Sequence, residues 1–146
     1  MSASLAPTLR RRLERAARAA AKSAYAPYSK FPVGAAVLTG SGKIFAGCNV
    51  ENAAYPLGNC AERTAIFSAV AAGERRIRAC VVYTPTATPT MPCGSCRQVI
   101  NEFGPDALIV SVCDTPHQAE TVLSALLPDA FGPANLAVTA TRGRKG

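Results

Sequence analysis

Two short segments concentrate the chemically capable side chains of this 146-residue chain. Pro92-Cys93-Gly94-Ser95-Cys96 sets two thiols three residues apart where a helix should start. At that spacing both can face one metal ion, and the positive end of the helix dipole favours their ionised form. Alone, such a pair is ambiguous between a redox motif, a zinc site and an accident. A thioredoxin-like placement needs it directly after a first strand, whereas here it follows a long Thr/Pro loop late in the chain. The second segment, Asn59-Cys60-Ala61-Glu62-Arg63, opens the preceding helix and adds a third thiol with a carboxylate two residues on.

Three protein ligands leave one tetrahedral position open, the mark of a catalytic zinc site. A nearby carboxylate that is not a ligand then serves as proton shuttle for hydrolysis, and Glu62 has that place. Three thiolates on one Zn²⁺ leave a net charge of about −1, so charge must be drawn off the sulfurs. Arg63, next to Glu62, and Arg97, next to Cys96, are the candidate donors, and Gln98 is grouped with them. The plainer alternative is a closed four-cysteine knot, completed by Cys48, Cys80 or Cys113, with Glu62 on a solvated face. Those cysteines lie in strand-like runs (KIFAGCNV, RACVVY, LIVSVCD), where cysteine acts as a small buried hydrophobe. His117, the lone histidine, reads as a surface-loop residue.

The elements around these segments are legible from periodicity. Leu9, Leu13, Ala16, Ala17, Ala20 and Ala24 recur at helical spacing in a basic amphipathic helix over residues 1–22, which lacks the apolar core of a secretory signal. VGAAVL and KIFAGCNV, joined by TGSG, form a hairpin. NCAERTAIFSAVAAGE is helical and stops at Gly73; RACVVYTP is a strand; CGSCRQVINEFG is a second helix ended by Gly104 and Pro105; ALIVSVCD is another strand. AETVLSALLP is expected to be a third helical stretch. Alternating helices and strands predict a three-layer α/β/α sandwich around a mixed, mostly parallel sheet, forming one domain over residues 1–146.

Composition excludes several classes. The chain is 49% hydrophobic and 17% charged, values of a folded globular protein. No apolar run approaches the roughly 20 residues of a membrane span. The net charge of +7 belongs to the chain ends, residues 1–22 at +5 and the tail 142–146 at +3, leaving the middle at −1. A phosphate-tracking groove is therefore not expected, nor is specific nucleic-acid binding. Six cysteines suit metal ligation and core packing in a reducing, cytoplasmic setting better than a disulfide framework.

Taken in order, YSKFPVGAAV, GCNVENAAYP, CAERTAI, PCGSCRQ and LLPDAF resemble the signatures of zinc-dependent cytidine deaminase, specifically its small homotetrameric type. The resemblance runs from about Tyr25 to Phe131. It implies one Zn²⁺ per chain on Cys60, Cys93 and Cys96, with Glu62 moving protons as cytidine and deoxycytidine are hydrolysed to uridine, deoxyuridine and ammonia in pyrimidine salvage. It further implies that the Ala61 N–H meets the base O2, that Asn49 and Glu51 hold the ribose 3′-hydroxyl, and that Phe31 walls the base. Phe131 and Tyr55 resemble residues reaching the pocket from neighbouring subunits. Two rival readings stay open: a zinc deaminase for another aminated heterocycle, such as a nucleoside antibiotic or a polynucleotide cytosine, and a non-catalytic zinc-stapled module that binds nucleic acid through its basic ends.

Overall fold

The computed structural model describes residues 4–136, so the basic tail 142–146 lies outside the described residues. Ten elements follow in order: α1 (Pro7–Ala21), β1 (Gly34–Thr39), β2 (Ile44–Cys48), a 3₁₀ turn (Tyr55–Leu57), α2 (Ala61–Ala71), β3 (Ile77–Tyr83), α3 (Gly94–Phe103), β4 (Leu108–Val112), β5 (Gln118–Val122) and α4 (Leu123–Leu126). Pro7 starts α1 at a position where its missing N–H costs nothing. Leu13, Ala17 and Ala21, four residues apart, form its buried stripe. Gly73, at φ 94°, lets the chain leave α2 through the left-handed region. No described helix is long and apolar enough to cross a membrane.

The strands form one sheet in the order β2-β1-β3-β4-β5. Each central strand sends alternate residues to opposite faces. Ala36, Leu38, Ala79, Val81, Leu108, Val110 and Val112 pack with Leu13 and Ala17 of α1. Val37, Cys80, Val82 and Ile109 pack with Ala65, Ile66 and Ala69 of α2, Ile100 of α3 and Leu123 of α4. Helices thus cover both faces, giving the expected three layers and mixed sheet.

The sheet departs from expectation in its pairing, which is not mostly parallel. Of its four pairings only β3–β4 is parallel; β1–β2, β1–β3 and β4–β5 are antiparallel. The crossover through α2 carries the chain from β2 past β1 to β3, so β2 and β3 run the same way without being neighbours. Helix–strand alternation reported direction and not adjacency. The segment AETVLSALLP is also corrected: it is strand through Val122 and helical only over Leu123–Leu126. Pairing with β4 satisfies backbone groups that a helix here would have left open on that edge.

Because β2, β3 and β4 share a direction, the segments after β2 and β3 emerge at one end of the sheet, where α2 and α3 begin. Close packing fixes this end. A Cβ on Gly34 would lie 1.8 Å from the Ala17 carbonyl oxygen of α1, and one on Gly47 would lie 2.4 Å from the Ala65 nitrogen of α2. Gly34→Ala should therefore destabilise the protein by about 3 kcal/mol, the upper end for overpacking. Gly58→Ala, whose added carbon meets nothing closer than 3.4 Å, should be nearly neutral. Chemical denaturation of the two variants gives the comparison, and equal midpoints would refute the packing argument.

Candidate active site

Cys60 and Cys93 are the residues that immediately precede α2 and α3, each in extended conformation, and Cys96 lies in the first turn of α3. The convergence of the two helix starts brings the three sulfurs within 4.8 Å of one another. Cys60 Sγ and Cys93 Sγ are 3.7 Å apart. Tetrahedral zinc with Zn–S bonds of about 2.3 Å requires sulfurs about 3.8 Å apart, so the donor set fits that ion. Soft thiolates also suit zinc better than magnesium or calcium. Among the described residues no further Cys, His, Asp or Glu joins this group. Cys80 is buried in β3, and Cys113 turns its thiol toward the Ala87 and His117 carbonyls. A closed four-cysteine knot is thus not what these residues form.

The polar surroundings are unequal. Arg63 Nη2 donates to Cys60 Sγ at 3.4 Å, while the buried Arg63 Nε has no protein partner among the described residues. Hydrogen bonding from Cys96 first, then from Arg63 and Cys93, pulls the Cys60 thiol down to about 5. Cys96, as donor to Cys60 and deeply buried, is pushed up. Glu62, only 5% exposed, has its carboxyl held above the ordinary range, first by burial and then by the charge of Cys60.

A cavity of about 400 Å³ opens beside this cluster, lined by Cys60, Ala61, Glu62 and Cys93 on one side and Phe31, Asn49 and Glu51 on the other. Asn49 follows β2 and braces the loop before β1. Its Oδ1 accepts from the Val33 N–H, and its Nδ2 donates to the Phe31 carbonyl, each at 2.8 Å. Glu51 accepts from the Tyr28 and Ser29 N–H groups at 2.9 and 3.1 Å and from the Ser29 hydroxyl. The Ser29 hydroxyl bond is the main reason its carboxyl sits below the usual range.

Other expected residues lie elsewhere. Arg97 does not donate to the sulfurs; its guanidinium binds the Pro92 and Leu126 carbonyls at 2.8 and 3.1 Å, tying the start of α3 to α4. Gln98 likewise donates to the Phe131 carbonyl at 2.9 Å. Tyr55 and Phe131 are 74% and 60% exposed, and neither lines this chain's own cavity. Ser29, Val33, Thr84, Thr90 and Met91 complete the wall without having been singled out. The threonine-rich run before Pro92 was the available signal for two of them.

Metal analysis after single substitution checks the ligand set. Cys60→Ala, Cys93→Ala and Cys96→Ala should each lose the metal, whereas Cys48→Ala, Cys80→Ala and Cys113→Ala should retain it. Equal loss from the second group would refute an open tri-thiolate site.

The sequence profile of the "Cytidine and deoxycytidylate deaminase zinc-binding region" matches residues 7–112. A cytidine deaminase of Sporosarcina psychrophila is 48% identical over 122 residues, covering 83% of this chain and 90% of that protein. The crystal structure of a cytidine deaminase from Burkholderia pseudomallei superposes with a TM-score of 0.80 at 52% identity, covering 83% of this chain and 98% of that one. The Mycobacterium tuberculosis cytidine deaminase structure has a TM-score of 0.73 at 42% identity over 84% and 96% of the two chains. Likeness of this extent spans both helix starts that bring the three sulfurs together, and on it the chain belongs to the zinc-binding cytidine and deoxycytidylate deaminase family, a family of hydrolases.

Proposed function

We propose that this protein hydrolyses the 4-amino group of cytidine and deoxycytidine, releasing ammonia and leaving uridine or deoxyuridine, as a step of pyrimidine salvage. The observation that carries the reading is a tri-thiolate cluster with a buried carboxylate beside it, opening on a cavity of nucleoside size. Cys60, Cys93 and Cys96 hold one Zn²⁺. When bound, zinc supplies the Lewis acidity that makes water a nucleophile near neutral pH.

The chain's own residues do the rest. Glu62, whose carboxyl burial holds above the ordinary range, carries protons to the base N3 and to the departing amine. The Ala61 N–H, at the first position of α2, has no partner within the helix and is available to the base O2. Arg63 draws charge from Cys60. Asn49 and Glu51 are matched to a hydroxyl. Asn49 has spent one amide N–H on Phe31 and keeps the other; Glu51 has accepted three hydrogen bonds and keeps one further lone-pair site. One remaining donor and one remaining acceptor suit the ribose 3′-hydroxyl, which is both. Phe31 closes one face of the base.

Assembly into a homotetramer is part of this reading, with Tyr55 and Phe131 completing a neighbour's pocket. Their exposure, and the Tyr28–Tyr55 ring contact at 5.6 Å beside the cavity mouth, support it. Sedimentation that found a fully active monomer would refute it. A cytoplasmic setting agrees with six free cysteines.

Ammonia release from cytidine tests the activity, and a chelator should abolish it. Glu62→Gln should keep zinc and fold while losing at least about 10²–10⁴-fold in turnover. Cytidine 3′-phosphate and cytosine within a short single strand should be poor substrates, because neither offers a free 3′-hydroxyl to Glu51. Near-normal turnover by zinc-replete Glu62→Gln would sink the assigned role, and efficient deamination within the strand would sink the nucleoside assignment.

A further inference from the structure

Thr84 stands directly after β3, in step with Cys80 and Val82, on the face covered by α2 and α3. It is only 2% exposed, yet it lines the cavity together with Thr90. Its hydroxyl oxygen lies 2.7 Å from Thr86 Oγ1 and 3.4 Å from Thr90 Oγ1. Thr86 Oγ1 in turn donates to the Thr88 carbonyl at 2.6 Å. A hydroxyl has a single proton. Since Thr86 uses its proton on Thr88, the Thr84–Thr86 bond runs in one direction, with Thr84 donating. Thr84 is also placed to donate to Thr90 at 3.4 Å, a longer contact than the ordinary O–H···O range of about 2.5–3.0 Å, so the proton goes to Thr86 first and in neither case to the cavity. Thr84 therefore has only acceptor lone pairs left for whatever enters the cavity.

We propose that Thr84 is a specificity residue whose hydroxyl oxygen accepts a hydrogen bond from the amino-bearing edge of the base. The inference rests on the cytidine reading above. Hydrolysis requires the reacting carbon to lie against the sulfur cluster. Thr84, Thr90 and Met91 line the same cavity as Cys93, and Thr90 precedes Cys93 by three residues, which brings this stretch of wall toward the cluster. The substituent on that carbon consequently faces this wall. In cytidine it is an amino group with two N–H donors; in uridine it is a carbonyl oxygen that can only accept. A wall fixed as an acceptor rewards the substrate and opposes lone pairs to the product, so the same oxygen that helps seat cytidine helps release uridine. Burial raises the consequence of a mismatch, because water cannot bridge two acceptors easily there.

Two substitutions test this on the zinc-loaded protein, with zinc content and melting temperature measured alongside. Thr84→Val removes the hydroxyl at nearly constant volume; cytidine KM should rise about tenfold with a smaller change in kcat. Uridine affinity, read by calorimetry, should stay the same or tighten. Thr84→Ser should restore the parent ratio of uridine Kd to cytidine KM. Thr86→Val frees the Thr84 proton to turn into the cavity as a donor, and uridine should then bind about fivefold tighter. An unchanged ratio in Thr84→Val, or Thr84→Ser behaving like valine, would overturn the inference. If Thr84→Val does not fold, Thr86→Val decides alone, and no tightening of uridine overturns the inference. A parent protein that does not deaminate cytidine would remove the substrate reading and this inference with it; an active parent with an unchanged ratio removes only the inference.

Discussion

Three sulfurs confined within 4.8 Å repel one another once ionised, and the site end of the molecule is arranged around that repulsion. Two unit charges at the 3.7 Å separation of Cys60 and Cys93 oppose each other by about 4 kcal/mol even at an effective dielectric constant near 20. A divalent cation is the largest offset available. The protein adds two smaller ones: the positive ends of α2 and α3, both aimed at the cluster, and the Arg63 guanidinium on Cys60. Hydrogen bonding from Cys96 and Arg63 lowers the Cys60 thiol, and the bond to Cys60 together with burial raises Cys96, so the Cys96 proton is the more tightly held of these two thiol protons. Metal binding must displace those protons, which couples affinity to pH.

Holding the cluster against this repulsion requires that the two helix starts cannot drift apart. The frame supplies that through backbone contacts with no side chain between them. Gly47 lets β2 lie directly on α2, and Gly34 lets β1 lie directly on α1, so the sheet is gripped from both faces near the site. Arg97, which sequence reasoning assigned to the sulfurs, acts at one remove by pinning the Pro92 carbonyl next to Cys93 and the Leu126 carbonyl of α4. A positive charge placed there stiffens the ligand-bearing turn without contacting a ligand. Adjacency in sequence to Cys96 could not distinguish these roles, because the third residue of a helix and the fourth point to different sides.

What could be read from the chain divides along the same line. Residue types and short-range spacing gave the metal-binding helix starts, the hairpin and the strands, because each depends on local periodicity. The sheet's pairing was not legible, since helix–strand alternation fixes strand direction and says nothing about β1 inserting between β2 and β3. Nor was β5, whose Ala119-Glu120-Thr121-Val122 carries a pattern compatible with either state; an open edge on β4 decided it. Thr84 was missed for a related reason. Its importance lies in the direction of a hydrogen-bond chain that closes on Thr88, and no composition or period records a proton's direction.

The open side of the cavity links the chemistry to assembly. Preorganised donors and acceptors act strongly only where water is excluded. On the sheet side that condition holds: Glu62 and Thr84 are buried, and the sulfurs sit between two helix starts. On the outer side, Phe31 is 37% exposed and Tyr28 47% exposed, while Glu51 faces solvent with its acceptor sites largely filled from within. Folding does not require this edge to be covered, because both apolar cores lie on the sheet, away from it. The proposed grip on a ribose hydroxyl does require it, since a bond to Glu51 that competes with bulk water contributes little net free energy. In the homotetramer proposed here, a neighbour's Tyr55 or Phe131 would supply that cover. On that proposal association serves the electrostatics of the reaction and not the stability of the fold, and the exposed rings of Tyr28 and Phe31 stand where the cavity region meets water.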